Sequence, residues 1–229
     1  MSDVVLEFVD VFDKARSAHF CPVKDASFKL CSGERLLVRA QVDTEYRNVL
    51  DLALGLEEPQ SGQVLFMGRD WAKMNAFEEA EMRGQMGVVF ESAGWISSLS
   101  VIANIMLRVR HHTLRDDADI RREAEALAAE IGFSDIDDLE LRPAVVHRRR
   151  LRAYEWVRAC MGTPPVILMA FPERGVSSGV VGNLVKMVEN RADNGSAVML
   201  ISDSPKLFDL VETDKWKIVD APKMFGLQP

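Results

Sequence analysis

Apolar and polar positions change rhythm several times along this chain. Residues 4–12 (VVLEFVDVF) and 26–31 (ASFKLC) alternate apolar with polar, the period of half-buried strands. After the turn CSGE at 31–34, RLLVRA at 35–40 reads as a buried strand. NVLDLALGL at 48–56 has helical spacing and ends in Gly55 and Pro59. The turn PQSG opens a strand, QVLFMG at 63–68, and MGVVFE at 86–91 is a short apolar strand.

The rhythm turns helical over residues 95–160. LSVIANIMLRVRHH, DADIRREAEALAAEIGF and RRRLRAYEWVRACMG each read as a helix. The middle one starts with acidic residues and stops at Gly132, both normal helix-end signals. PPVILMAFP then predicts a buried strand, VVGNLVKMVENRADNG a helix closed by Gly195, and SAVMLISDS a second buried strand. KWKIVDAPKMFGLQP ends the chain with a strand and a short tail. Strand–turn–helix units around a helical block predict an α/β core with an inserted helical lobe.

Composition narrows the functional classes. The 229 residues suit one large domain, and 48% hydrophobic with 28% charged is ordinary for a globular protein. The net charge of -7 argues against nucleic acid or an anionic membrane as main partner, since both reward positive charge. Cys21, Cys31 and Cys160 have neither a disulfide framework nor metal-ligand spacing, which fits a reduced, cytoplasmic setting. The acidic start MSDVVLEFVDVFDK does not read as a signal peptide, and no apolar run reaches the roughly 20 residues of a membrane helix. A membrane role is therefore expected only through a partner.

Four stretches in order resemble the ATPase subunit of ABC transporters: GERLLV (33–38), LGLEEPQSGQVLFMGRDW (54–71), MGVVFESAGWISSLSVIANIMLRVRHH (86–112) and RAYEWVRACMGTPPVILMAFP (152–172). The second and third look most like the ATPase of the MCE-associated, Mla-type phospholipid transport systems. The resemblance covers nearly the whole chain. It implies a P-loop NTPase-like (RecA-like) core with an antiparallel β subdomain and an inserted α-helical lobe. The core would comprise 1–94 and 159–229, and the lobe 95–158.

The resemblance also fixes where the chemistry should lie. A phosphate loop, G-x-x-x-x-G-K-[ST], wraps phosphates with main-chain N–H groups, neutralises charge with Lys and binds magnesium through a hydroxyl. Family spacing from Gly55 puts it at AQVDTEYR, so the glycines match Ala40 and Glu45, the Lys Tyr46 and the Ser Arg47. Asp43 and Glu45 would repel phosphate by several kcal/mol in a partly dry site. They are expected to cap the following helix instead. The magnesium-holding Asp matches Ala170 and the catalytic Glu matches Phe171. Pro172 is kept, while Glu173 falls two residues late and is expected to point elsewhere. The signature LSGG matches Val146, His147, Arg148 and Arg149; the switch His matches Ser202; the permease-linked Gln matches Glu91; and the Asp beyond the catalytic strand matches Ser177.

Phosphoryl transfer depends on positioning and charge stabilisation by those groups. The expectation is therefore a pseudo-ATPase, not an enzyme, with ATP and magnesium binding lost and a structural or regulatory role in a phospholipid-transport complex. Its partners would be an ABC-type permease, docked near Glu91, Trp95 and Leu99, and another ATPase-like chain or a second copy of itself. Two alternatives stay open. One is a weak or atypical ATPase using Arg39, Arg47 or the arginines at 148–150; the other is an anion or small-ligand sensor in the old pocket. HRRRLR at 147–152 reads as a solvated face that could also reach a partner's nucleotide. His111 and His112 read as surface residues, and Trp95 as either core or a partner anchor.

Overall fold

The computed structural model describes residues 3–14, 20–41, 44–92, 94–133 and 137–226. In chain order the elements are β1 (Val4–Asp13), β2 (Val23–Cys31), β3 (Arg35–Arg39), α1 (Arg47–Ala53), β4 (Ser61–Phe66), β5 (Arg69–Asp70), α2 (Ala76–Arg83) and β6 (Met86–Val89). The helical block follows: α3 (Val101–His112), α4 (Asp117–Glu130), α5 (Asp137–Glu140) and α6 (Arg148–Cys160). Then come β7 (Val166–Ala170), α7 (Ser178–Asp193), β8 (Ala197–Ser202), α8 (Pro205–Leu210), β9 (Lys217–Asp220) and α9 (Ala221–Met224).

Two sheets organise these elements. One is antiparallel, in the order β2-β1-β4-β5; the other is parallel, in the order β6-β7-β8-β3-β9. All of β7 and β8 is buried, as expected of parallel strands covered on both faces. Alternation along them sorts the core: Ile167, Met169, Val198 and Leu200 face α3–α7, while Leu168, Ala170, Met199 and Ile201 face α1 and the antiparallel sheet. Strand register brings Arg39 level with Ser202 and Asp220, and Ala170 level with Ile201, so the C-terminal ends of β3, β7, β8 and β9 form one edge.

Two close approaches fix how layers meet. A Cβ on Gly87 in β6 would lie 2.0 Å from the Ala159 carbonyl oxygen, so α6 packs directly on that strand's backbone. Gly55 ends α1 with a φ of 61°, and its bare Cα leaves room for the Trp71 ring. Among the described residues, no helix is long and apolar enough to cross a membrane.

Candidate functional site at the strand ends

In an open parallel sheet, ligands bind beyond the carboxyl ends of the strands. Here that edge collects most positions singled out from the sequence. Ala40 follows the last residue of β3, is buried, and donates its N–H to the Ser202 carbonyl at 2.9 Å. Glu45 does not supply the expected cap. Glu45 is exposed, because its backbone is tied to the Phe20–Cys21 segment, with Cys21 N–H donating to its carbonyl at 2.8 Å. The residue before α1 is Tyr46, with no side-chain cap, and no acidic residue lies in the first turn. Asp43 lies outside the described residues.

Tyr46, at the lysine position, points inward. It is fully buried, its hydroxyl oxygen accepts the Gln41 N–H at 3.0 Å, and its ring lies 6.0 Å from Phe171 and 5.9 Å from Phe225. Burial pushes its phenol well above the ordinary range. Arg47 stays exposed, lies over the Phe90 ring at 5.2 Å and pairs with Asp51 at 3.4 Å. Arg39 pairs with Asp220 at 3.2 Å and covers the Phe208 ring at 4.2 Å.

At the end of β7, Phe171 is fully buried with φ of 45°, a left-handed conformation that is uncommon for a bulky residue. The turn it makes reverses the expectation for Glu173. That carboxylate returns to the edge, where its Oε1 accepts the Ser202 hydroxyl at 2.7 Å. Its Oε2 is buried without a hydrogen bond, and burial raises its pKa while the Ser202 hydroxyl holds it down. Arg174 lies 3.5 Å over the Phe171 ring, pairs with Asp203 at 2.9 Å and sits 3.9 Å from Glu91 Oε1. Burial raises Glu91 as well, against the pull of Arg174.

The run HRRRLR is not one solvated face. His147 precedes α6 and its Nδ1 accepts the Arg149 N–H at 3.3 Å; Arg148 and Arg149 are exposed, and Val146 is buried. Arg148, Arg149, Glu91 and Arg174 border a cleft of about 420 Å³. Arg152, one turn on, turns into the core. It donates to the carbonyls of Phe90 at 2.6 Å, Phe171 at 2.9 Å and Ala170 at 3.4 Å, and pairs with the buried Glu155. Glu155 Oε1 accepts the Trp95 indole N–H at 3.0 Å. Arg152 and Glu155 thus join the loop after β6 to the ends of β6 and β7. The sequence reading missed both. The available signal was an arginine at the helical spacing of Trp156 and Cys160, on a face that must be buried.

A larger groove, about 700 Å³, opens between the sheet and the helical block. Gly94 and Ile96 line it with Met86, Leu107, Arg108 and Arg158, whereas Trp95 sits behind Arg158, whose guanidinium lies 4.9 Å over the indole ring. Asn104 fixes this loop: its Oδ1 accepts the Ile96 N–H at 2.8 Å and its Nδ2 donates to the Ile96 carbonyl at 3.1 Å. Leu99 closes the turn with its N–H on the Ile96 carbonyl at 3.1 Å. His111 is exposed, while His112 lies partly buried in the groove wall against Gly84.

No protein-family model matches the chain. It is 25% identical over 167 residues to the intermembrane phospholipid transport system ATP-binding protein MlaF of Haemophilus influenzae, covering 72% of this chain and 62% of that protein. It is 24% identical over 181 residues to the macrolide export ATP-binding/permease protein MacB of Haemophilus ducreyi, covering 79% of this chain and 26% of that one. Both alignments thus span less than two thirds of the relative's length. Its fold matches the dimeric, post-hydrolysis ATP-binding cassette MJ0796 bound to ADP and Pi, with a TM-score of 0.81 at 15% identity over 94% of this chain and 93% of that one.

The chain therefore has the P-loop NTPase fold of the ABC-transporter ATP-binding cassettes and is similar to them in sequence. These findings correct two expectations: that the chain is not an enzyme, and that ATP and magnesium binding are lost. The relatives are ATP-binding proteins, and the matched cassette holds ADP and Pi. The physical reason is that side-chain identity is only part of a phosphate site. Side chains differ here, but main-chain N–H groups at a strand–turn–helix junction carry much of a phosphate's hold, and the strand β3 and the helix α1 that flank one are both present.

Proposed function

We propose that this chain is the ATP-binding-cassette subunit of a phospholipid-transport assembly, with a structural or regulatory part in it. It docks a permease through the 700 Å³ groove and pairs with a second cassette, either another chain or its own copy. The observation that carries this reading is the buried path Trp95–Glu155–Arg152, which runs from the groove's loop to the carbonyls at the strand ends. A docked partner pressing on residues 94–96 would act on Phe90 and Phe171 through it. The similarity to the phospholipid-system protein supports the cargo, and the matched dimeric cassette supports the pairing. In this reading residues 95–158 serve as the docking lobe and the chain reaches the membrane at its cytoplasmic face through the permease.

The nucleotide grip is atypical on the same reading. Arg47 stands where a hydroxyl is usual and Arg174 faces Glu91 and Asp203 at the strand ends, so guanidinium groups supply charge that a lysine supplies elsewhere.

Two experiments test this. A photo-cross-linker placed at Ile96 should capture a polytopic membrane protein together with phospholipid, and one placed at Met67 should not. Capture at both positions or at neither refutes the docking surface. Calorimetry with magnesium-ATP should give one-site binding that Arg47→Ala and Arg174→Ala weaken; no binding at high nucleotide refutes the grip.

A further inference from the structure

A second cavity lies between the start of α7 and α8 and shares no lining residue with the groove. It encloses about 350 Å³, and its wall is mostly aliphatic, from Val176, Val181, Leu207 and Leu210. Val181 and Leu207 are buried in the core, whereas Leu210 is 45% exposed. Three polar groups face it without a charge of opposite sign beside them: Glu173, Ser178 and Ser204. Lys206 and Asp209 complete the lining, are exposed, and offset one another in charge.

Glu173 is the incomplete member of this set. Its Oε1 accepts the Ser202 hydroxyl at 2.7 Å, and its Oε2 is buried with no hydrogen bond. The adjacent Arg174 is turned to Asp203 and Glu91. Among the described residues, no Lys, Arg or His lies within ion-pair distance of Glu173. A buried carboxylate oxygen without a donor carries its full desolvation cost, and a positively charged donor removes that cost best. Ser204 precedes α8 without using its hydroxyl as a cap, so it and Ser178 offer acceptors for further N–H groups. An aliphatic pocket with a few convergent polar groups is the usual form of a small-molecule site.

We infer that this cavity binds a small primary amine in its ammonium form, with the ammonium donating to Glu173 and an aliphatic body packed on Val176, Val181, Leu207 and Leu210. At about 30 Å³ for each non-hydrogen atom, the space suits a ligand of about ten such atoms. A quaternary ammonium has no N–H to give, and among the described residues no aromatic ring lines the cavity to hold one by its face. A carboxylate or phosphate would meet Glu173 as a like charge. The site is independent of the docking groove, and its occupant would lie one carboxylate away from Ser202 on the strand edge.

The test is calorimetric titration of the full chain with 2-cyclohexylethylammonium, set against its trimethylated form, the neutral 2-cyclohexylethanol and the anion cyclohexylacetate. The primary ammonium should bind at one site on the order of tenfold tighter than the alcohol, the scale of a hydrogen bond to a charged group. The trimethylated form should bind more weakly than the primary ammonium, and the anion weakest of all. Glu173→Gln keeps an acceptor for the Ser202 hydroxyl and should erase the preference for ammonium over alcohol. Leu210→Ala should weaken the primary ammonium about threefold through lost apolar contact. Thermal melts establish that both variants are folded. No binding of the primary ammonium at millimolar concentration, equal binding of the alcohol, or an ammonium preference that survives Glu173→Gln overturns the site. Phosphoethanolamine carries the ammonium of a phospholipid headgroup without the aliphatic body; tighter binding of it than of the cyclohexyl amine overturns the aliphatic ligand in favour of a headgroup. None of these failures bears on capture of a partner at Ile96.

Discussion

Replacing Arg152 with Met should cost far more stability than replacing it together with its partner. The Arg152 side chain is 8% exposed and that of Glu155 1%. Met preserves the unbranched stem but removes donors to the Phe90, Phe171 and Ala170 carbonyls, and it leaves Glu155 with the Trp95 N–H and the more distant charge of Arg158. Breaking a buried pair from one side costs about 3–5 kcal/mol. That is a large share of the roughly 5–15 kcal/mol that holds a domain folded. In Arg152→Met/Glu155→Leu no charge is left behind, so the loss should shrink and the double-mutant cycle should show coupling of at least about 2 kcal/mol.

The pH dependence has a definite sign. Burial raises Glu155 above the ordinary carboxylate range, and Arg152 is the strongest group holding it down. Without Arg152 the folded-state value rises further. A carboxylate raised on folding gives stability that is present below its unfolded pKa and lost as pH rises through the folded value. The penalty of Arg152→Met should therefore be greater at about pH 7.5 than at about pH 5. Urea unfolding of the four proteins at both pH values measures this. A single-variant loss under about 1 kcal/mol at the higher pH, or additive losses, would refute the idea that this pair ties the groove loop to the strand ends.

Other perturbations give separate checks. Glu173→Gln keeps an acceptor for the Ser202 hydroxyl but cannot ionise, so thermal melts should show it more stable than the parent at neutral pH and less sensitive to acidification, since Glu173 is raised by burial. Gly87→Ala puts a methyl group 2.0 Å from the Ala159 carbonyl oxygen, and should lower stability by about 1–3 kcal/mol or more by chemical denaturation. Tyr46→Phe leaves the Gln41 N–H without its 3.0 Å acceptor and should cost about 1–3 kcal/mol. Tyr46→Lys places a cation at the phosphate junction, and calorimetry should record tighter magnesium-ATP binding than in the parent.

Strands and long helices were legible because burial imposes a period. The apolar runs at 164–172 and 196–204 became β7 and β8, and the acidic start and Gly132 bracketed α4. Shorter elements escaped. Helix α2 carries a capping box, in which Asn75 accepts the Phe77 and Glu78 N–H groups and Glu78 accepts the Asn75 N–H, but only Met82 on it is buried, so no apolar period announces it. Helix α8 begins at Pro205 and has six residues, too few to show a period, although a proline after Ser204 is itself a helix-start signal.

The candidate site was legible in position and not in direction. Aligning Ala40, Ala170 and Ser202 to the strand ends located the edge, because a parallel sheet brings those ends level whatever the side chains are. Which carboxylate faces that edge depends on one torsion. A residue in strand conformation at 171 would carry the chain onward, whereas Phe171 with φ of 45° turns it, and Glu173 comes back to Ser202. Letters at fixed spacing carry no such torsion. Arg152 escaped for the complementary reason. It was read as one charge in a basic run, yet helix α6 divides that run by angle, leaving Arg148 and Arg149 in solvent and sending Arg152 inward beside Trp156. A charge on a buried face must find partners, and the partners it found are the main chain of β6 and β7 and a glutamate three residues on. Distance from the aligned motif thus says little about influence on the site: the residue that grips both strand ends lies outside every motif position compared.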